Sequence, residues 1–260
     1  VVRALMLNRA SKPFVKRVER YPPDPYIFVL LLTLITLVFA VVIQGQSPLT
    51  TVQQWGDGFW GLLTFSMQML LVLVTGFMLA CTPLVKALLE RLASLAKSPG
   101  SAIVLVTLVS LIASWINWGF GLVVGALYAK ALARKVSVDY RLLVASAYSG
   151  FIVWHGGLAG SVPLTIATPG HFSEAQIGVI GTGETIFSGF NLLLLAIMFV
   201  IIPLVNRLML PPESESIIVD SAKLKDDALP SATNERPADK LENSKVLGLL
   251  VGFAGLAYLT

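Results

Sequence analysis

The sequence predicts an all-α polytopic membrane protein with a re-entrant helical hairpin and a broken helix. Three observations carry this. The 260 residues are 55% hydrophobic and only 13% charged, where soluble domains average about 25% charged residues. The apolar residues fall into runs long enough to cross a bilayer. Lys and Arg collect in some connections and are missing from others. The basic balance, a net charge of +4 with pI near 9.2, flanks apolar runs rather than forming one basic face. It reads as topology and not as nucleic-acid binding.

The elements follow in order. Tyr26 to Ile43 carries no charge and predicts a transmembrane helix. Asp24 caps it and Pro25 fits its first turn. Gln44 to Gly58 predicts a polar loop, with Trp55 and Trp60 in an interfacial belt and Asp57 as the next cap. Phe59 to Ala80 predicts a second span. Pro83 to Ser101 is a charged connection. Ala102 to Ala133 is an apolar run interrupted by Ile116-Asn-Trp-Gly-Phe-Gly121. Leu142 to Pro163 predicts a span, Thr165 to Glu184 a loop with Glu184 at the next helix start, and Ile186 to Val205 another span. Arg207 to Lys245 holds eight acids and six bases without a sustained apolar period, and predicts a mobile cytoplasmic linker. Residues 246–260 form a short apolar run that reads as the truncated start of a further helix, so the chain is expected to be a fragment. No cleavable signal pattern is evident at the start.

The 19 Lys and Arg divide as six before Tyr26, three in 82–101, four in 130–141 and six in 207–245. The bare loops 44–58 and 164–185 then face outward, and residues 1–25 form a cytoplasmic basic segment. Ser11 to Tyr21 could also lie along the membrane surface. Both ends of the run 102–133 are basic, so it enters and returns on one side. Its halves, Ala102 to Trp115 and Leu122 to Ala133, would be about 21 Å and 18 Å long at 1.5 Å per residue, short of a ~30 Å hydrocarbon core. A hairpin with its tip at 116–121 satisfies both facts. One long tilted or kinked span is the competing reading. Non-helical backbone at membrane depth must be buried in protein or line a wet cavity, so the tip packs within a bundle. Gly121-x-x-x-Gly125 suits close helix contact.

A second interruption is Trp154-His-Gly-Gly-Leu-Ala-Gly-Ser-Val-Pro-Leu-Thr165. Two broken segments in one membrane domain point to a transport site. Helix N-termini at the breaks suit a carboxylate. Asn117, Ser161 and Thr165 are hydrogen-bonding candidates, Gly119, Gly121, Gly156, Gly157 and Gly160 supply close backbone, and Trp118 and Phe120 could wall an alkyl chain. Plain core or belt packing is the bland alternative for both rings. His155 is the one ionisable residue well inside a predicted span and a candidate for proton coupling. Enzyme chemistry fits poorly. His155 and His171 lack ligand-spaced companions, no Ser has an evident base and acid, and Gly181-Thr-Gly183 lacks the Lys of a phosphate loop. Cys81 is a lone cysteine, so no internal disulfide forms, and no cofactor or metal site is expected.

Several of these stretches carry a resemblance to the bacterial short-chain fatty acid transporter family. They are Pro23-Asp-Pro25, Trp55-Gly-Asp-Gly-Phe-Trp60, Ile116 to Ala126, Gly160-Ser161 with Pro163-Leu164, Ala167-Thr-Pro-Gly170 and Phe187-Ser-Gly-Phe-Asn191. The resemblance implies the first of two inverted-repeat halves in an ion-transporter-like superfamily. It implies inner-membrane uptake of acetoacetate, butyrate and similar monocarboxylates with a coupling ion, H⁺ or Na⁺. The implied partners are the carboxylate, the bilayer and a missing C-terminal half; a homo-oligomer is an open expectation beside them, and the charge placement gives no nucleic-acid partner. Family members can carry Gly at the position of His155, which weakens a proton role there. Transport of another small anion, such as a dicarboxylate, and a non-transporting membrane scaffold are the rival readings.

Overall fold

The computed structural model describes residues 25–61, 63–220, 224 and 244–259. The expected cap at Asp24, the surface segment 11–21 and most of the linker lie outside these. The described residues are helical, with no strand among them. The chain divides into two units, Val1–Leu224 and Lys225–Thr260. The second contributes one described helix, α11 (Lys245–Leu259). The first contains α1 (Pro25–Val42), α2 (Pro48–Gly61), α3 (Leu63–Ala80), α4 (Pro83–Ala93), α5 (Pro99–Ile116), α6 (Trp118–Lys135), α7 (Tyr140–Ser149), a 3-10 segment (Gly150–Gly156), α8 (Ser161–Ile166), α9 (Glu174–Ile177) and α10 (Gly189–Leu208).

Among the described residues, Pro99–Ile116, Tyr140–Ile166 and Gly189–Leu208 are long and apolar enough to cross a membrane. Ser66–Ala80 and Pro83–Ala93 form a pair bent by 65°. The surface is apolar and the interior carries polar groups. Leu32, Leu34, Phe190, Leu193 and Val200 are all more than half exposed, whereas Thr107, Ser110, Ser114 and Ser146 are sealed inside. An apolar surface over an interior that admits small polar groups is the arrangement of a multi-pass membrane protein, whose solvent is lipid.

The hairpin is α5 and α6 with a single non-helical residue between them. Asn117 is extended at φ −155° and ψ 127°, and its side chain accepts from the Phe120 N–H at 3.0 Å. A Cβ on Gly121 would meet Ser114 Cα at 2.5 Å, and one on Gly125 would meet Ser110 Oγ at 2.7 Å. One turn onward in α6 corresponds to one turn back in α5, so the arms run antiparallel at a spacing that only hydrogen permits. Ser98 and Ser101 cap α5 reciprocally, with Pro99 in its first turn.

Each arm has 18 residues, about 27 Å, which is longer than expected. The expected six-residue tip shrinks to Asn117, because the side chain that ends one helix starts the next. The apolar part of α6 still stops at Ala129, before Lys130, Arg134 and Lys135. The basic end is tied to α4: Arg134 and Lys135 reach the Glu90 carboxylate at 2.7 and 3.2 Å.

Other boundaries also move. The stretch expected as polar loop 44–58 is mostly helix α2, started by Ser47, whose hydroxyl accepts from Thr50 N–H at 3.1 Å. Asp57 consequently lies inside α2 rather than capping the next helix. The charged connection contains amphipathic α4, capped by Thr82. The last span begins at Gly189 under the Ser188 cap, not at Glu184. The segment after α10 is held at its start: Ile217 N–H reaches Asp139 at 2.9 Å, Tyr140 N–H reaches the Ile217 carbonyl at 2.9 Å, and Arg134 reaches the Leu224 carbonyl at 3.0 Å. Residues 215–217 of the expected linker are thus bonded to the start of α7.

Burial alone would push the Asp139 carboxyl up. Arg141 and the N–H groups of Ile217 and Leu142 outweigh that and hold it below the usual value of 3.8. A depressed carboxyl contributes stability above its unfolded pKa and loses it as pH falls through the folded one.

Two outcomes are expected. Gly121→Leu should lower the thermal midpoint in detergent, at a cost of about 1–3 kcal/mol or more from overpacking, while Ala126→Leu on the exposed side of α6 leaves it unchanged. Asp139→Ala should accelerate amide exchange at Leu142 and Ile217, with a loss of about 1–2 kcal/mol from cap removal. Acidification below pH 3.8 should reproduce that loosening in the parent.

Candidate functional site

The two interruptions meet. A helix end leaves its last carbonyls without intrahelical partners. The carbonyl of Trp115, at the end of α5, accepts from the N–H of Leu158 in the second break at 2.7 Å. That approach depends on Gly157, where a Cβ would stand 2.3 Å from the same oxygen. Gly160 is similarly confined, since its Cβ would meet the His155 carbonyl at 2.6 Å. On the other side of the tip, α3 crosses through glycine contacts. A Cβ on Gly76 would stand 2.6 Å from Phe120 N, and one on Gly119 3.0 Å from the Val72 carbonyl.

Trp118 leaves the tip toward the second break. Its ring lies 6.3 Å from Phe151 at 77° and 5.4 Å from Trp154. Trp154 in turn fixes the break by donating from Nε1 to the Ala159 carbonyl at 2.9 Å. The Asn117 side chain takes the Phe120 N–H. Helix geometry leaves Trp118 and Gly119 carrying the remaining N–H groups at the α6 N-terminus.

The expected residues separate into two groups. Asn117, Trp118, Gly119, Phe120 and Gly121 stand at or just beyond the tip, and Gly156, Gly157 and Gly160 shape the break beside it. Ser161 and Thr165 are drawn off into α8, where Thr165 is exposed and donates its hydroxyl to the Ser161 carbonyl at 2.7 Å. With six residues, α8 is too short to present the helix dipole expected of a half-helix. His155 is exposed, its ring stacked on Trp154 at 4.2 Å.

Asn191 is bonded to the second break, and the sequence does not single it out as a site residue. Its Nδ2 donates to the carbonyls of Gly156 at 3.0 Å and Ile186 at 2.7 Å. It thereby joins the start of α10 to the second break. A Cβ on Gly156 would come within 2.7 Å of Asn191 Oδ1. The signal was available: an amide just inside an apolar helix start needs a partner, the same reasoning that singled out Asn117.

Comparison with known proteins now places the chain. Residues 6–260 match the model of a family described as short chain fatty acid transporter. A relative from Escherichia coli (strain K12), provisionally named a short-chain fatty acid transporter, is 45% identical over 260 residues. The alignment covers 98% of this chain and 59% of that relative. A second relative of the same name from Haemophilus influenzae (strain ATCC 51907 / DSM 11121 / KW20 / Rd) is 40% identical over 265 residues, with the same coverage of 98% and 59%. The chain therefore spans somewhat over half the length of these relatives. No solved structure matches it. By the match along nearly its whole length, the chain belongs to the short-chain fatty acid transporter family.

Proposed function

We propose that this chain carries the carboxylate-binding half of a bacterial inner-membrane symporter for acetoacetate, butyrate and similar monocarboxylates. The observation that supports it best is the junction of the two breaks through the Trp115 carbonyl and Leu158 N–H. It sets the α6 N-terminus, the Asn117 amide and the Trp118, Phe151 and Trp154 rings around one location. The carboxylate faces the Trp118 and Gly119 N–H groups, where a helix N-terminus favours an anion by about 0.3–1 kcal/mol, and up to ~2 when partly buried. The aromatic wall takes a short alkyl chain. Such a set of groups suits a monocarboxylate because its second end is apolar.

The electrical balance favours a coupled cation. Moving one anion inward against a negative interior costs about 2.3 kcal/mol per 100 mV. One H⁺ or Na⁺ carried with it cancels that cost. The hairpin enters from the cytoplasmic side, with the basic ends of α4, α6 and α7 facing the cytoplasm together with the N-terminal segment. The rest of the length present in the relatives supplies the second wall of the pathway.

Two measurements follow. Asn117→Leu removes the cap and the amide and should reduce radiolabelled butyrate uptake by about tenfold or more, a ~1.4 kcal/mol effect, with unchanged protein in the membrane. Unaltered uptake would refute the site. Asn191→Leu removes two donors worth about 1 kcal/mol each. It should raise the half-saturating butyrate concentration without changing how the chain inserts, read in the same vesicles by uptake and by protease protection.

A further inference from the structure

Helix α4 turns away from α3 and presents three different faces. The turn comes from Thr82-Pro83. A proline disfavours helical backbone in the residue before it, and Thr82 is extended at φ −61° and ψ 146°. Its hydroxyl caps α4 by accepting from the Val85 N–H at 3.4 Å, and the two helices meet at 65°. At about 100° per residue, the side chains of α4 fall into three sectors roughly a third of a turn apart. Val85, Leu89, Leu92 and Ala93 pack into the core shared with α6. Lys86 and Glu90 form a polar sector, where Glu90 takes Arg134 and Lys135 of α6. Leu84, Leu88 and Arg91 form the third. Leu84 is 80% and Leu88 54% exposed, and Arg91 is exposed beside them.

A helix with one side on protein, one side polar and one side apolar and open lies along a membrane surface, at the boundary of headgroups and acyl chains. Its position agrees, because α4 begins where the apolar run of α3 ends. Helix contacts inside this bundle are made through small residues, as membrane packing favours, whereas the open sector carries two leucines and an arginine. Arg91 is the one charge in that sector, and its guanidinium has no partner among the described residues. A long basic side chain on an apolar helix face turns its head toward the headgroup layer. There a planar guanidinium meets phosphate oxygens with paired N–H donors. The charge around it is of one sign. Residues 82–101 carry Lys86, Glu90, Arg91 and Lys97, and Glu90 is already answered twice by α6. The surface therefore complements a lipid of net negative charge better than a zwitterionic one.

We propose that the face of α4 formed by Leu84, Leu88 and Arg91 docks an anionic phospholipid, with Arg91 holding its phosphate and the two leucines lying against its acyl chains. This goes beyond the transport reading and does not rest on it. A lipid held there braces the residue next to Glu90, and through Glu90 the basic end of the hairpin at Arg134 and Lys135.

Two experiments on the full-length protein test it. In dodecyl maltoside, phosphatidylglycerol should raise the thermal midpoint of the parent at concentrations where phosphatidylcholine does not. Arg91→Gln should need about fivefold more phosphatidylglycerol for the same rise, and Arg91→Lys should recover most of that loss because it keeps the charge. Equal titrations of the parent and Arg91→Gln, an equal effect of phosphatidylcholine, or an equal effect of inorganic phosphate would overturn the proposal. The second experiment uses vesicles of phosphatidylcholine and phosphatidylglycerol and a background freed of native cysteines, Cys81 included. A bimane on Leu88→Cys should be quenched by a nitroxide on the lipid chain in preference to aqueous iodide, and a bimane on Lys86→Cys should show the reverse order. Iodide quenching at Leu88→Cys as strong as at Lys86→Cys would put that face in water. Shielding of the Leu88→Cys probe from both quenchers would mean that protein covers it, whether a second copy or another segment. Either result overturns the lipid assignment.

Discussion

Within a bilayer there is no water to take up an amide or carbonyl left bare by a stopped helix, and each one costs several kcal/mol. That constraint organises the structure. Two helices stop inside the bundle, α5 at Ile116 and the segment from α7 at Gly156. Each is repaired by its neighbour: the Trp115 carbonyl takes the Leu158 N–H, Asn117 takes the Phe120 N–H, and Asn191 takes the Gly156 carbonyl while donating. The breaks are tolerated because they are mutual. Moving either one alone would strand polar backbone in an apolar interior.

The glycines make that repair reachable. Gly121 and Gly125 let α6 lie on the serines of α5. Gly150 and Gly157 let the 3-10 segment and the second break close on the other side of α5, where Cβ atoms would come within 2.4 Å of Ser110 Cβ and 2.3 Å of the Trp115 oxygen. α5 is therefore the axis of the bundle, contacted by α6, α7, α10 and the 3-10 segment. Its residues Ile103, Val106 and Leu111 are fully buried, although its own composition is that of a lipid-facing span.

Much of this was legible in the sequence. Run length and charge placement gave the helices and the return of the hairpin, because desolvation of Lys and Arg is a large, local and unambiguous cost. The residues at both breaks stand out because amide, glycine and hydroxyl residues interrupt apolar runs. What the sequence did not show was contact across the bundle. Asn191 lies 35 residues from its partner Gly156, and nothing in its neighbours specifies that pairing. The sequence predicts a six-residue tip because glycine disfavours helix. In the structure only Asn117 leaves the helix, and Gly119 and Gly121 pack from within α6, as the Gly121-x-x-x-Gly125 spacing leads one to expect for Gly121. The distinction depends on what lies opposite each glycine. Helix α2 differs from the expected loop for a related reason: its composition is polar, while Ser47 and Pro48 give its first turn an adequate start.

The clasp at Asp139 has a mechanical reading. The strand of chain leaving α10 is gripped at Glu215 and Ile217 by Arg141 and Asp139, at the opposite end of α7 from the second break. A pull arriving along the downstream chain therefore meets Arg134 of α6 at Leu224 first, then the root of α7, and from there the glycine junction at its far end. The helix from which that chain emerges is bypassed. Force is routed around α10, much as a rope cleated on deck loads the cleat rather than the winch behind it.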